Sequence, residues 1–163
     1  MSQLVTNEIY HVVLRGVGDT KTFKDDDDYY RMIFSIYEFN NCIPVNMWNR
    51  RKERLYEKRQ IGADSPTRQQ RDMFVEILAF CFMPNHIHLL VRQLKDNSIS
   101  QFMQKVGTGY ANYFNKKYAR RGHLFNRFKA VLIKDDDQLR NVFAYIHCNP
   151  ISLIAVNYET TLT

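Results

Sequence analysis

Two histidines, His86 and His88, stand two residues apart in the apolar run Phe82-Met83-Pro84-Asn85-His86-Ile87-His88-Leu89-Leu90-Val91. In an extended strand alternate side chains share a face. His86, His88 and Leu90 therefore point one way, while Ile87, Leu89 and Val91 point into a core. Two imidazoles side by side make half of a metal site. Far along the chain, Tyr145 and Asn149 are spaced i, i+4 and lie one above the other on one side of a helix. Asn149 can offer an amide oxygen as a third ligand beside the histidines, leaving positions open for a substrate. Tyr145 would stand one turn from the metal. A phenol, with a pKa of about 10, is a poor nucleophile until its proton leaves or its target becomes more electrophilic. A divalent cation on a phosphate oxygen does the second and aligns the attack. Attack on a phosphodiester would leave a phosphotyrosine, which conserves the bond for rejoining.

Each residue taken singly has a packing explanation. A His-x-His pair can be a surface pair, Tyr145 a partly buried structural tyrosine, and Asn149 before Pro150 a helix-end residue. All four in matching geometry, in a basic chain, favour the chemical reading. His147 projects from another side of the helix and is assigned a structural or secondary role. His11 and Arg15, on the first strand, fit substrate contact and packing equally well.

The elements that must position these groups can be taken in order. Glu8 to Gly16 is a β-branched and aromatic strand. Asp25 to Asp28 open a helix as a solvated, charged start. It carries Tyr29, Met32, Ile33, Phe34, Ile36 and Tyr37 and ends near Asn40-Asn41. Residues 44–72 hold Arg50, Arg51, Lys52, Arg54, Lys58, Arg59, Arg68 and Arg71 with little periodic hydrophobicity. This is an inserted basic loop, with a short strand near Val45 to Trp48, serving as a linker or an electrostatic arm for phosphates. Phe74 to Phe82 is apolar except for Glu76, as expected of a central strand covered on both faces. Asn97-Ser98 cap a helix that runs to about Tyr118. Its stripe is Ile99, Phe102, Met103, Val106, Tyr110, Tyr113 and Phe114, and Lys105, Lys116 and Arg120 form a basic flank. Arg120-Arg121-Gly122 is a basic turn, and Leu124 to Lys134 a strand bearing Arg127 and Lys129. Asp135 to Asp137 open a last helix with Leu139, Val142, Phe143 and Ile146 buried, and Pro150 stops it. The order predicts an α+β, ferredoxin-like (split βαβ) sandwich: a mainly antiparallel sheet with helices on one face and the other open for chemistry.

Composition bounds the partners. The 163 residues carry 23 Lys and Arg against 17 Asp and Glu, a net charge of +6, and the isoelectric point is near 9.3. Such a surplus favours a polyanionic partner, nucleic acid first. A mean hydropathy of −0.44 and the chain length fit one domain over residues 1–163. No apolar run approaches a membrane span and no signal-peptide pattern opens the chain, so no membrane partner is expected. Cys42, Cys81 and Cys148, scattered and odd in number, read as reduced thiols of a cytoplasmic protein.

An ordered set of segments resembles the single-tyrosine HUH transposases, including the REP-associated tyrosine transposases. The segments are Tyr10-His11-Val12-Val13-Leu14-Arg15-Gly16, Phe82 to Leu90, Tyr110-Ala111-Asn112-Tyr113-Phe114-Asn115, Gly122-His123-Leu124-Phe125 with Arg127-Phe128-Lys129, and Tyr145-Ile146-His147-Cys148-Asn149-Pro150. The resemblance implies that His86 and His88 are the His-hydrophobic-His pair, Tyr145 the nucleophile and Asn149 the polar ligand. It implies Mg²⁺ or Mn²⁺ and cleavage of single-stranded DNA beside a hairpin, with the 5′-phosphate kept on tyrosine and a 3′-hydroxyl released to rejoin. An imidazole pair alone would not suggest Mg²⁺, which prefers oxygen. Only Asn126 separates Phe125 from Arg127, where the family usually has two residues. One residue fewer in a strand inverts the facing of all later positions unless a bulge absorbs it.

The leading expectation is a metal-dependent transposase that cuts and rejoins single-stranded DNA with hairpin or palindromic elements. Arg15, Lys105, Lys116, Arg120, Arg121, Arg127 and Lys129 are the DNA-binding candidates. A non-catalytic binder of hairpin or single-stranded nucleic acid and a water-using metal hydrolase are the alternatives. Monomer and homodimer, the latter able to exchange the tyrosine helix, are both open.

Overall fold

The computed structural model describes residues 4–44, 46–50, 52, 55 and 71–153. Its strands are β1 (Ile9–Arg15), β2 (Val75–Met83), β3 (His86–Gln93) and β4 (Lys129–Leu132). Its helices are α1 (Asp26–Phe39), α2 (Ser98–Lys117) and α3 (Asp136–Cys148), with a 3₁₀ segment Asn149–Leu153 after α3. All strand pairs are antiparallel and the sheet order is β2-β3-β1-β4. β3 thus lies between β1 and β2, the split βαβ arrangement the sequence predicts.

Alternation places the core. Tyr10, Val12 and Leu14 of β1 and Ile87, Leu89 and Val91 of β3 are buried with Met32 and Ile36 of α1 and with Ile99, Phe102, Met103, Val106, Tyr110 and Phe114 of α2. The stripe read on α2 is the stripe that packs. On α1 the expectation is half right. Ile33 and Tyr37 are exposed, and the buried positions include Asp28 and Ser35. Asp25 caps α1 by accepting from the Asp28 amide. Asp28 itself is fully buried rather than solvated: its carboxylate accepts from Lys117 Nζ at 2.9 Å, Tyr118 Oη at 2.7 Å and Tyr113 Oη at 3.1 Å. Burial raises its pKa, but these donors more than offset that and hold it below the usual carboxylate value.

β2 corrects a second expectation, because it is an edge strand and not a central one. An apolar run reports which faces are covered, not a strand's place in the sheet. A bulge between Ile77 and Ala79 transfers Ala79, Cys81 and Met83 to the face opposite α1 and α2, where they join Leu90, Ile133 and Ile146 of α3 in a second cluster. Both faces of β2 are therefore covered, although Phe80 remains half exposed.

β4 is shorter than the predicted 124–134. Val13 pairs with Lys129 and Gly16 bridges Phe125, so three steps along β1 oppose four along the other segment. The bulge is held by Asn126, whose amide donates to Arg15 O at 2.8 Å and whose Nδ2 donates to Gly16 O at 3.2 Å. Gly16 also has no room for a side chain: a Cβ there would lie 2.4 Å from Thr20 O. Its amide donates to Asn85 O at 2.8 Å, pinning the Pro84-Asn85 turn against the end of β1. Residues 47–50 are helical rather than a strand; most of the basic loop 44–72, with Val45 itself, lies outside the described residues. The side chain of Asn97, at the start of α2 in a left-handed conformation, makes no capping bond. α3 is capped by Asp135, which accepts from the Gln138 amide.

Candidate nucleophile and metal centre

The site forms on the sheet face that α1 and α2 leave open. In register, Arg15 lies opposite His86, Val13 opposite His88 and His11 opposite Leu90. His11, Val13, Arg15, His86 and His88 therefore share this face. α3 crosses it over β2 and β3, anchored by Ile146, which is fully buried. That anchor brings Tyr145 to the histidines. Its ring stands edge-on to His88, with centroids 5.4 Å apart and planes at 89°, and 6.2 Å from His11. Tyr145 is half exposed and Asn149 nearly buried, at 50% and 8%. Tyr145 O accepts from the Asn149 amide, so the i, i+4 relation holds through the helix end.

Both histidines are oriented through Nδ1. His86 Nδ1 lies 2.6 Å from Asn85 Oδ1, and His88 Nδ1 lies 2.9 Å from His11 Nε2. The two rings are 4.8 Å apart at 77°. His88 is only 5% exposed, and its Nε2 is buried with no hydrogen-bond partner among the described residues. A buried polar atom left unpaired costs about 1–3 kcal/mol, so an orphan here calls for a ligand. Burial lowers the pKa of His88 to about 4, with the neighbouring His86, His11 and Arg15 adding to the effect. Burial likewise lowers His86 and His11. All three imidazoles are thus neutral at pH 7, the form that coordinates metal.

These features fit a divalent cation. Among the described residues no three His, Cys, Asp or Glu side chains converge as a ligand set. A three-ligand protein set at this place therefore needs another donor type, and the amide oxygen of Asn149 is of that type. Among the described residues no helix is long and apolar enough to cross a membrane, and the three cysteines are free.

The seven basic candidates fall into separate places. Arg15 is half exposed beside His86 and pairs with Asp19 at 3.2 Å. Lys129 is exposed and lies in one row with Val13 and His88. Arg127, on the other side of the bulge, lines a groove of about 680 Å³ with Gln104, Thr108 and Asn112 of α2. Lys116 and Arg121 are exposed at the end of α2. Arg120 is engaged as a clamp, donating to Asn115 Oδ1 at 3.2 Å and His123 O at 2.8 Å. Lys105 donates to Asn41 O at 2.8 Å and sits 4.7 Å over the Phe74 ring, away from the histidine face. His147 bonds Phe143 O at 2.8 Å and is exposed. The residue that composition and spacing underweighted is His11. Its signal was available: it shares the alternation of Arg15 on β1, so a β1–β3 pairing sets it diagonally across from His88.

Comparison with known proteins places the chain in a family. Residues 41–149 match the family described as Transposase IS200 like. The chain belongs to the IS200-like transposases. Over 89 residues it is 36% identical to a Haemophilus influenzae protein named as a REP-associated tyrosine transposase, covering 47% of this chain and 49% of that one. The match spans about half the length of that curated relative. A solved structure of a REP-associated tyrosine transposase bound to a REP hairpin has a TM-score of 0.52 at 15% identity, covering 93% of this chain and 74% of that chain. That is a likeness of fold.

Proposed function

We propose that this chain cuts and rejoins single-stranded DNA beside a hairpin, with Tyr145 as nucleophile and a divalent cation held by His86, His88 and Asn149. The observation that carries the reading is the placement of Tyr145 edge-on to His88, 5.4 Å between centroids, beside a buried imidazole nitrogen that has no partner among the described residues. When bound, Mg²⁺ or Mn²⁺ would supply Lewis-acid polarisation of a phosphate oxygen. The protein does the rest. The Tyr145 Oη forms a bond to phosphorus as the P–O3′ bond breaks. The phenol proton passes to solvent at this half-exposed position, and the leaving 3′-oxygen takes one up. The 5′-phosphate stays on tyrosine, and attack by a 3′-hydroxyl reverses the step. Arg15 and Lys129, on the histidine face, meet the backbone phosphates, and Lys116 and Arg121 extend the positive surface.

Family membership and the hairpin bound by the relative of like fold support DNA hairpins as substrate. In this reading one chain supplies both histidines and the tyrosine. The test uses hairpin DNA with a flanking single strand and Mn²⁺. The Tyr145→Phe protein is expected to bind the hairpin as wild type does but to give no covalent protein–DNA adduct on a denaturing gel. Adduct at the wild-type level in that variant would overturn the assignment.

A further inference from the structure

Two neutral imidazoles whose nitrogens lie 2.9 Å apart, His11 Nε2 and His88 Nδ1, can share a hydrogen bond in only two ways. In one, His11 donates; His88 Nδ1 is then the acceptor and His88 Nε2 must carry the proton. That proton would point from a buried nitrogen that has no acceptor among the described residues, and the nitrogen could not bind a cation. In the other, His88 donates from Nδ1 and His11 Nε2 accepts. His88 Nε2 then presents a lone pair, and the buried atom is satisfied once a cation arrives. Only the second arrangement removes the cost of an orphaned polar group.

We infer that His11 is a positioning residue, fixing His88 in the Nδ1–H tautomer so that Nε2 faces a divalent cation. The inference rests on the metal reading above. The two rings lie edge to edge in nearly one plane, with centroids 5.1 Å apart and planes at 18°, so the bond fixes the orientation of His88 as well as its proton. β1 holds His11 in place, because its neighbours Tyr10 and Val12 are buried in the core on the opposite face. His86 has a comparable support in Asn85 Oδ1. The two ligand candidates are thus held by partners from different segments: the turn before β3 and the strand beside it. Removing such an outer partner typically weakens metal binding by about 10–100-fold.

The test compares wild type, His11→Leu and His11→Gln in Mn²⁺ titrations followed by calorimetry and by the Mn²⁺ electron-spin signal, without DNA. His11→Leu should bind Mn²⁺ about 10–100-fold more weakly. His11→Gln, whose Oε1 can accept at nearly the position of the lost Nε2, should recover most of that loss. Far-UV circular dichroism checks that each variant is folded. Independently of any variant, ¹⁵N spectra of the metal-free wild type should show His88 protonated at Nδ1. Wild-type affinity in a folded His11→Leu protein, or an Nε2–H tautomer of His88 in the wild type, would overturn the inference and leave the metal reading standing. If wild type itself binds no Mn²⁺, the metal reading falls and this inference falls with it.

Discussion

On one face of the sheet α2 sets Ile99, Phe102, Met103, Val106, Tyr110 and Phe114 into a closed core; on the other, α3 has one buried residue, Ile146, with Leu139 and Val142 only partly covered and Phe143 44% exposed. The first face is aromatic, and the Asp28–Lys117 cluster ties α1 to α2. The second carries three histidines and an exposed phenol. The difference separates two tasks. The helix-packed face holds the fold together, whereas the histidine face presents the side chains of the proposed site, whose alignment depends on a few contacts.

Single substitutions should expose that division. Phe102→Ala, in the closed core, is expected to cost about 3–5 kcal/mol and to lower the midpoint of chemical unfolding sharply. Ile146→Ala removes the anchor of α3. Its cost should lie toward the low end of the about 2–5 kcal/mol range for such truncations, while covalent adduct formation falls by at least about tenfold as Tyr145 loses its alignment. Equal and global destabilisation by the two variants would erase the distinction.

Acidity should act through the histidine face. The His88 imidazole is protonated near its ordinary value of 6.5 in the unfolded chain but only at about 4 in the fold. The unfolded chain therefore takes up its proton first as pH falls. Stability of the metal-free protein should be full above pH 6.5 and decline toward pH 4, by at most about 3 kcal/mol. Urea unfolding at a series of pH values measures this. His88→Phe, if folded, should flatten that slope, and an unchanged slope would place its origin elsewhere.

The smallest effects should come from the basic side chains. Lys129→Ala should weaken hairpin binding modestly and reduce the salt dependence by about one phosphate contact. Lys105→Ala should leave that slope unchanged, because Lys105 is bound to Asn41 O on the other layer.

Sequence periodicity made the helix-packed face legible. Apolar residues on α2 repeat at helical spacing, and the alternation of β3 divides Ile87, Leu89 and Val91 from His86 and His88. It misplaced what bulges and ion pairs decide. The irregularity at Ile77/Ala79 redirects half of β2, and the bulge between Phe125 and Lys129 delays the start of β4 and sets Arg127 and Lys129 in different surroundings. Asp28 looked solvated because its partners, Tyr113, Lys117 and Tyr118, lie some 90 residues away. On the histidine face, the spacing of His86 with His88 and of Tyr145 with Asn149 was readable. The partnership of His11 with His88 needed the register of β1 on β3.

The most direct test of the account is to locate the DNA–protein bond. Wild-type protein reacted with a hairpin substrate, digested and analysed by mass spectrometry should yield one nucleotide-bearing peptide, modified through a 5′-phosphate on Tyr145. A modification at any other residue, or cut DNA with a free 5′-phosphate and unmodified protein, would contradict it.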